Sequence, residues 1–88
     1  FKLTIVDVRE ADELTSRDQK IAGAIHVPLG ALRDRAAELP RERPIIAVCR
    51  SGRRSAQAVT ILRQAGVKDC ANLAGGMLRW NAAGLPTG

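Results

Sequence analysis

The chain has 88 residues, 45% of them hydrophobic and 26% charged, with a formal charge of +5 at pH 7. This length allows one domain with a modest core, and this composition excludes a chain that is disordered throughout. Two cysteines and one histidine are too few for a disulfide framework or a zinc centre, so we expect no metal and no cofactor.

The first half of the chain predicts two strands and two helices. Residues 3–8 are rich in β-branched side chains and predict a buried strand. Residues 11–15 predict one helical turn, favoured by the acidic side chains at its start. The short apolar segment 25–27, which Pro28 stops, predicts a second strand, and apolar residues at helical spacing predict a helix over 31–39.

The second half repeats this alternation. Ile45–Cys49 is the most apolar run and gives the strongest strand prediction. A polar run follows it, and we expect Ser55 to cap a helix that ends at Gly66. Residues 70–73 predict the last strand, and residues 77–83 predict a short helix.

Strands that alternate with helices predict an α/β fold, in which a parallel sheet has helices on both faces. Ligands of such sheets bind beyond the carboxyl ends of the strands. Cys49 lies at the carboxyl end of the most apolar predicted strand and directly precedes a predicted helix. The order of the elements therefore places Cys49 where a functional site is expected.

The residues after Cys49 favour a reactive thiolate. A free cysteine has a pKa of ~8.5, which a helix N-terminus and nearby cations lower. Gly52 allows the backbone to turn several N–H groups inward as an anion-binding nest, and Arg50, Arg53 and Arg54 add positive charge. The alternative is that Cys49 is a small buried hydrophobe, but this leaves the glycine and the three arginines unexplained.

Four segments, in order, resemble those of rhodanese-like domains. The resemblance covers nearly the whole chain and is carried by Asp7-Val8-Arg9-Glu10, residues 21–28, Cys49-Arg50-Ser51-Gly52-Arg53-Arg54-Ser55, and residues 73–80. It implies a parallel sheet of about five strands with helices on both faces and a cysteine that cycles through a persulfide. By this resemblance Cys49 is the catalytic residue, and the substrate-binding loop comprises Arg50, Ser51, Gly52, Arg53, Arg54 and Ser55.

The chain departs from the family pattern in three places. Only six residues precede Asp7, so residues 1–88 are expected to form a rhodanese-like domain without the usual N-terminal helix or strand, and to belong to a larger protein. Gln19-Lys20 replaces the familiar Gly-His, and Ala11 stands where proline is common. None of these departures lies in the loop after Cys49.

Several other side chains invite a functional interpretation. Cys70 lies in the predicted last strand, which favours a buried neutral thiol over a partner that resolves oxidised Cys49. His26 is expected to be a packing or surface residue rather than a general base. Asp7 and Glu13 are expected to pair with the arginines and order the loop, because carboxylates beside a thiolate oppose its formation.

The predicted function is a sulfurtransferase that takes sulfur from a small donor such as thiosulfate and passes it to a thiol or to cyanide. Two alternatives stay open: a noncatalytic module that binds a partner, and a cysteine-based phosphatase or arsenate reductase. Nucleic acid is not an expected partner, because the only aromatic residues are Phe1 and Trp80. No apolar run reaches the ~20 residues of a membrane helix, and without a signal-peptide pattern we expect a cytoplasmic protein.

Overall fold

The structure is a computed structural model that describes residues 3–15 and 20–88. Gln19, one of the predicted departures, lies outside these residues. The described strands are β1 (Thr4–Asp7), β2 (Ile25–His26), β3 (Ile45–Val48) and β4 (Cys70–Asn72). They form a parallel sheet in the order β2-β1-β3-β4, so the predicted sheet type is confirmed, with four described strands where about five were expected.

The helices are α1 (Leu29–Arg35), α2 (Arg53–Gln64) and α3 (Gly76–Ala82). Short 3₁₀ helices follow β1 at Ala11–Thr15 and follow α1 at Ala36–Glu38. The helix predicted over 31–39 therefore begins two residues earlier, and its last turn tightens before Leu39. Within the described residues, every helix is too short or too polar to cross a membrane.

The alternation of side chains along β1 and β3 produces two apolar layers. Val6 and Ala47 face the larger layer, which packs against α1 and α2 through Leu32 and Leu62. The opposite faces of the same strands, together with Met77 of α3, form the smaller layer. The sheet thus has helices on both faces, as predicted, and holds the carboxyl end of β3 between α2 and α3.

Candidate active site

Cys49 lies directly after β3 and is buried, with 1% of its surface exposed. Its Sγ atom accepts a hydrogen bond from the Gly52 backbone N–H at 3.0 Å. The hydroxyl Oγ of Ser55 lies 3.4 Å from the same sulfur. The loop therefore folds back so that its donors surround the thiol, which is the arrangement expected of an anion-binding nest.

The curl of this loop depends on Gly52. Its φ of +104° lies in the left-handed region, which glycine enters without a steric cost. Gly52 is also the N-cap residue of α2, so the prediction that Ser55 caps this helix is wrong. Because the helix starts three residues earlier than a Ser55 cap would place it, Ser55 lies in its first turn, fully buried, and its hydroxyl faces Cys49 instead of an N-terminal amide.

The surroundings of Cys49 favour its thiolate. Burial by itself would raise the pKa of Cys49, but hydrogen bonds that the thiolate can accept from the Ser55 hydroxyl and from the backbone N–H groups of Ser55, Gly52 and Ser51 outweigh burial and lower it. The lowering comes from donors in the loop and in the first turn of α2. This direction agrees with the prediction that the loop backbone favours the thiolate.

Asn72, at the end of β4, is a site residue that the sequence analysis missed. Its Oδ1 accepts a short hydrogen bond from the Ser55 hydroxyl, and its Nδ2 donates to the carbonyl of Gly52 at 3.2 Å. Asn72 therefore holds both the loop and the side chain that contacts Cys49. Only the packing of β4 against α2 brings these residues together, since Asn72 and Ser55 are 17 positions apart.

The start of α3 supports the loop from its other side. The backbone N–H groups of Met77 and Leu78 donate to the carbonyls of Cys49 and Arg50, at 2.8 and 3.0 Å. Gly76 makes this approach possible, because a Cβ there would lie 2.3 Å from the Cys49 carbonyl oxygen. Gly75 ends the turn before α3 and Gly76 is the first residue of this helix, whose start thus fixes two carbonyls of the loop.

Two ion pairs order the neighbouring segments. Asp7 and Arg9 are fully buried and bonded to each other, with Nη2 of Arg9 2.8 Å from Oδ2 of Asp7. Glu13 and Arg54 form a pair through both carboxylate oxygens, one of them 2.8 Å from Nη2. The predicted pairing of these acids with arginines is confirmed, and the pairing with Arg54 lowers the pKa of Glu13 to about 2.

The structure brings only some of the predicted loop residues to the sulfur. Ser51, Gly52 and Ser55 contribute donors to Cys49, whereas Arg54 directs its guanidinium to Glu13. Arg50 and Arg53 are exposed. Among the described residues, no group of three or more metal-ligating side chains lies close enough together to hold an ion.

Cys70 and His26 lie away from these donors. Cys70 pairs in register with Ile45, at the start of β3, so it stands four residues from Cys49 along the sheet. This is about 13 Å, and a disulfide needs Cα atoms within about 7 Å. Cys70 is buried, as predicted, with Sγ 3.5 Å from the Val67 carbonyl oxygen. Nε2 of His26 lies 2.7 Å from the Arg9 carbonyl oxygen, in a structural contact.

A buried cysteine that follows an inner strand of a parallel sheet, with backbone N–H donors around its sulfur, defines a class of α/β domain with a cysteine loop. The profile of the rhodanese-like domain matches residues 1–83. The chain belongs to the rhodanese-like domain family.

Its relatives differ in length and description. A sulfurtransferase of Allochromatium vinosum is 37% identical over 93% of this chain and 75% of its own length. An HTH-type transcriptional regulator of Mycobacterium tuberculosis is 42% identical over 97% of this chain, which spans only 37% of that protein.

Solved structures agree with the fold. A rhodanese-like domain from Anabaena sp. superposes with a TM-score of 0.85 at 37% identity, over 98% of both chains. A protein of Rhodopseudomonas palustris described as a possible tyrosine phosphatase superposes with a TM-score of 0.87 at 28% identity, over 99% of this chain and 71% of that one.

Proposed function

We propose that this domain is a sulfurtransferase in which Cys49 carries the transferred sulfur as a persulfide. The observation that supports this most strongly is the Gly52 N–H, 3.0 Å from a buried Sγ whose pKa is lowered by its donors. The thiolate is the nucleophilic form of cysteine. Donors that favour the thiolate before the reaction are equally suited to hold a negatively charged persulfide after it.

The proposed reaction has two steps, each of which breaks one sulfur–sulfur bond and passes the outer sulfur to a new nucleophile. The Cys49 thiolate attacks the outer sulfur of a donor such as thiosulfate, a new S–S bond forms, and sulfite leaves with the electron pair of the broken bond. An acceptor thiolate or cyanide then attacks the outer sulfur and releases the Cys49 thiolate. Neither step needs an external oxidant or a cofactor, because sulfur passes between nucleophiles as in thiol–disulfide exchange.

The descriptions of relatives support this class of reaction. The Allochromatium vinosum protein, of which this chain spans 75%, is described as a sulfurtransferase. The same domain also occurs as 37% of a longer protein, the transcriptional regulator, so relatives differ in the context in which sulfur would be passed on. We therefore propose the acceptor and the donor by chemical class, as a thiol and a small sulfane-sulfur compound.

The dimensions of the loop favour sulfur over a phosphate ester. Cys49 and Arg54 are separated by four residues, one fewer than the five residues that separate the cysteine and the arginine in the motif of cysteine-based phosphatases. A phosphoryl group needs donors for three oxygens in its transition state. Both terminal nitrogens of Arg54 bond to Glu13, so the Glu13 carboxylate competes for these donors with any oxyanion on Cys49.

Sulfur transfer from thiosulfate to cyanide tests the proposal. We expect turnover in the wild-type domain, none in Cys49→Ser, and nearly full turnover in the matched control Cys70→Ser. We expect no Cys49-dependent hydrolysis of an aryl phosphate. A noncatalytic module would show neither activity, and phosphatase turnover that exceeds sulfur transfer would overturn the proposal.

A further inference from the structure

The hydroxyl of Ser55 lies between two groups that compete for its proton. Ser55 is fully buried, its Oγ lies 3.4 Å from Sγ of Cys49, and it donates to Oδ1 of Asn72. The amide of Asn72 is oriented by its other end, where Nδ2 donates to the Gly52 carbonyl at 3.2 Å. Oδ1 is an acceptor only, so the Ser55 proton points at Asn72 in this arrangement.

A hydroxyl has one proton and therefore donates one such bond at a time. When Cys49 is a thiol, its S–H can donate to Ser55, which donates onward to Asn72, and every member of the chain is satisfied. A thiolate has no proton and can only accept. Ser55 must then turn its proton to Sγ, and Asn72 Oδ1 loses its donor.

We propose that Asn72 is a positioning residue that competes with the Cys49 thiolate for the proton of Ser55 and so limits how readily Cys49 becomes a nucleophile. This rests on the proposed role of Cys49 as the nucleophile. The thiol proton leaves to solvent, and Ser55 only rotates, keeping its own O–H bond. When Sγ carries a second sulfur, the charge lies on that outer atom and the Ser55 proton returns to Asn72.

Competition for the proton and support of the loop predict opposite effects of removing Asn72 on the formation of the Cys49 thiolate. If Asn72 only held the loop, its loss would free the Gly52 carbonyl, disorder the donors and make the thiolate harder to form. If it competes for the proton, an apolar replacement leaves Ser55 with Cys49 as its partner. The thiolate fraction below the midpoint of titration should then rise by roughly two- to tenfold, the equilibrium equivalent of one neutral hydrogen bond.

Titration of Cys49 in four proteins tests this: wild type, Asn72→Leu, Ser55→Ala, and the double variant, each with Cys70→Ser so that one thiol is observed. Thiolate absorbance and alkylation rate against pH give the midpoint, and circular dichroism verifies folding. We expect Asn72→Leu to lower the midpoint when Ser55 is present and to have no such effect in Ser55→Ala. Ala71→Ser, at an exposed neighbour on β4, should leave the midpoint unchanged.

A raised or unchanged midpoint in Asn72→Leu, or an equal shift with and without Ser55, would overturn the proposal. If Asn72→Leu does not fold, Asn72→Asp replaces it. The new carboxylate holds the Ser55 proton more tightly and should raise the midpoint of Cys49, and this rise should be smaller when Ser55 is replaced by alanine. Equal rises would overturn the proposal too. The titration uses no sulfur donor, so its result does not depend on sulfur transfer. If the midpoints are as expected but the protein transfers no sulfur, the proposed function is rejected and the role of Asn72 stands.

Discussion

Replacing Glu13 by glutamine should cost stability in a manner that depends on pH. Glu13 joins the 3₁₀ helix after β1 to Arg54 in the first turn of α2. The glutamine side chain keeps the shape but loses the charge and one acceptor oxygen. The loss should therefore be largest where the carboxylate is ionised.

The pairing with Arg54 lowers the pKa of Glu13 from 4.5 to about 2. At ~1.4 kcal/mol per pKa unit, this corresponds to an upper limit of about 3 kcal/mol. The side chains of Arg54 and Glu13 are 34% and 26% exposed, so solvent screening reduces the expected value to about 1 kcal/mol. Because the folded pKa is depressed, this stabilisation is complete above about pH 4.5 and is lost as the pH falls through about 2.

Urea unfolding at several pH values measures this. The free energy of unfolding of the wild type should exceed that of Glu13→Gln by about 1 kcal/mol at pH 7, and this difference should shrink toward zero as the pH approaches about 2. The control is Glu38→Gln, which removes an ion pair of 3.9 Å between side chains 45% and 66% exposed and should change little. A difference for Glu13→Gln that stays constant with pH, or equals that of the control, would refute the reasoning.

Three further outcomes are expected. Gly76→Ala should destabilise the fold by more than about 1 kcal/mol, roughly the cost of a strained backbone site, because its Cβ would lie 2.3 Å from the Cys49 carbonyl oxygen. The control Gly30→Ala, at a helical position with open space around it, should stabilise the fold slightly. Thermal unfolding compares the two variants. For iodoacetamide and for a bulky aromatic disulfide, the rate of reaction with Cys49 is divided by the rate with a small free thiol. This ratio should be larger for iodoacetamide, because Cys49 is only 1% exposed, and equal ratios would contradict this. Wild-type domain under mild oxidant should form no internal disulfide with Cys70, which a gel or mass measurement would detect.

The sequence predicted the features that depend on neighbours along the chain. β-branched and apolar runs marked β1 and β3, and the polar run after Cys49 marked the loop, because strand burial and loop polarity leave direct traces in residue order. The prediction that Cys49 readily forms a thiolate followed from the same local pattern. The lowered pKa of its thiol agrees with that expectation.

The rest depended on contacts between distant segments. Asn72 looked like an ordinary strand residue, and only the packing of β4 on α2 places it against Ser55. The position of Ser55 in the chain suggested a helix cap, but the left-handed conformation of Gly52 starts the helix earlier and turns Ser55 inward. The sequence predicted that Glu13 pairs with an arginine, but the choice of Arg54 as its partner depends on where the 3₁₀ helix docks.

The central claim is that Cys49 carries the transferred sulfur, and the mass of the intact domain after brief treatment with thiosulfate tests it most directly. The account predicts a gain of one sulfur atom, located at Cys49 by fragmentation, retained in Cys70→Ser and removed by cyanide. A domain that gains no mass, or gains it equally in Cys49→Ser, would contradict the account.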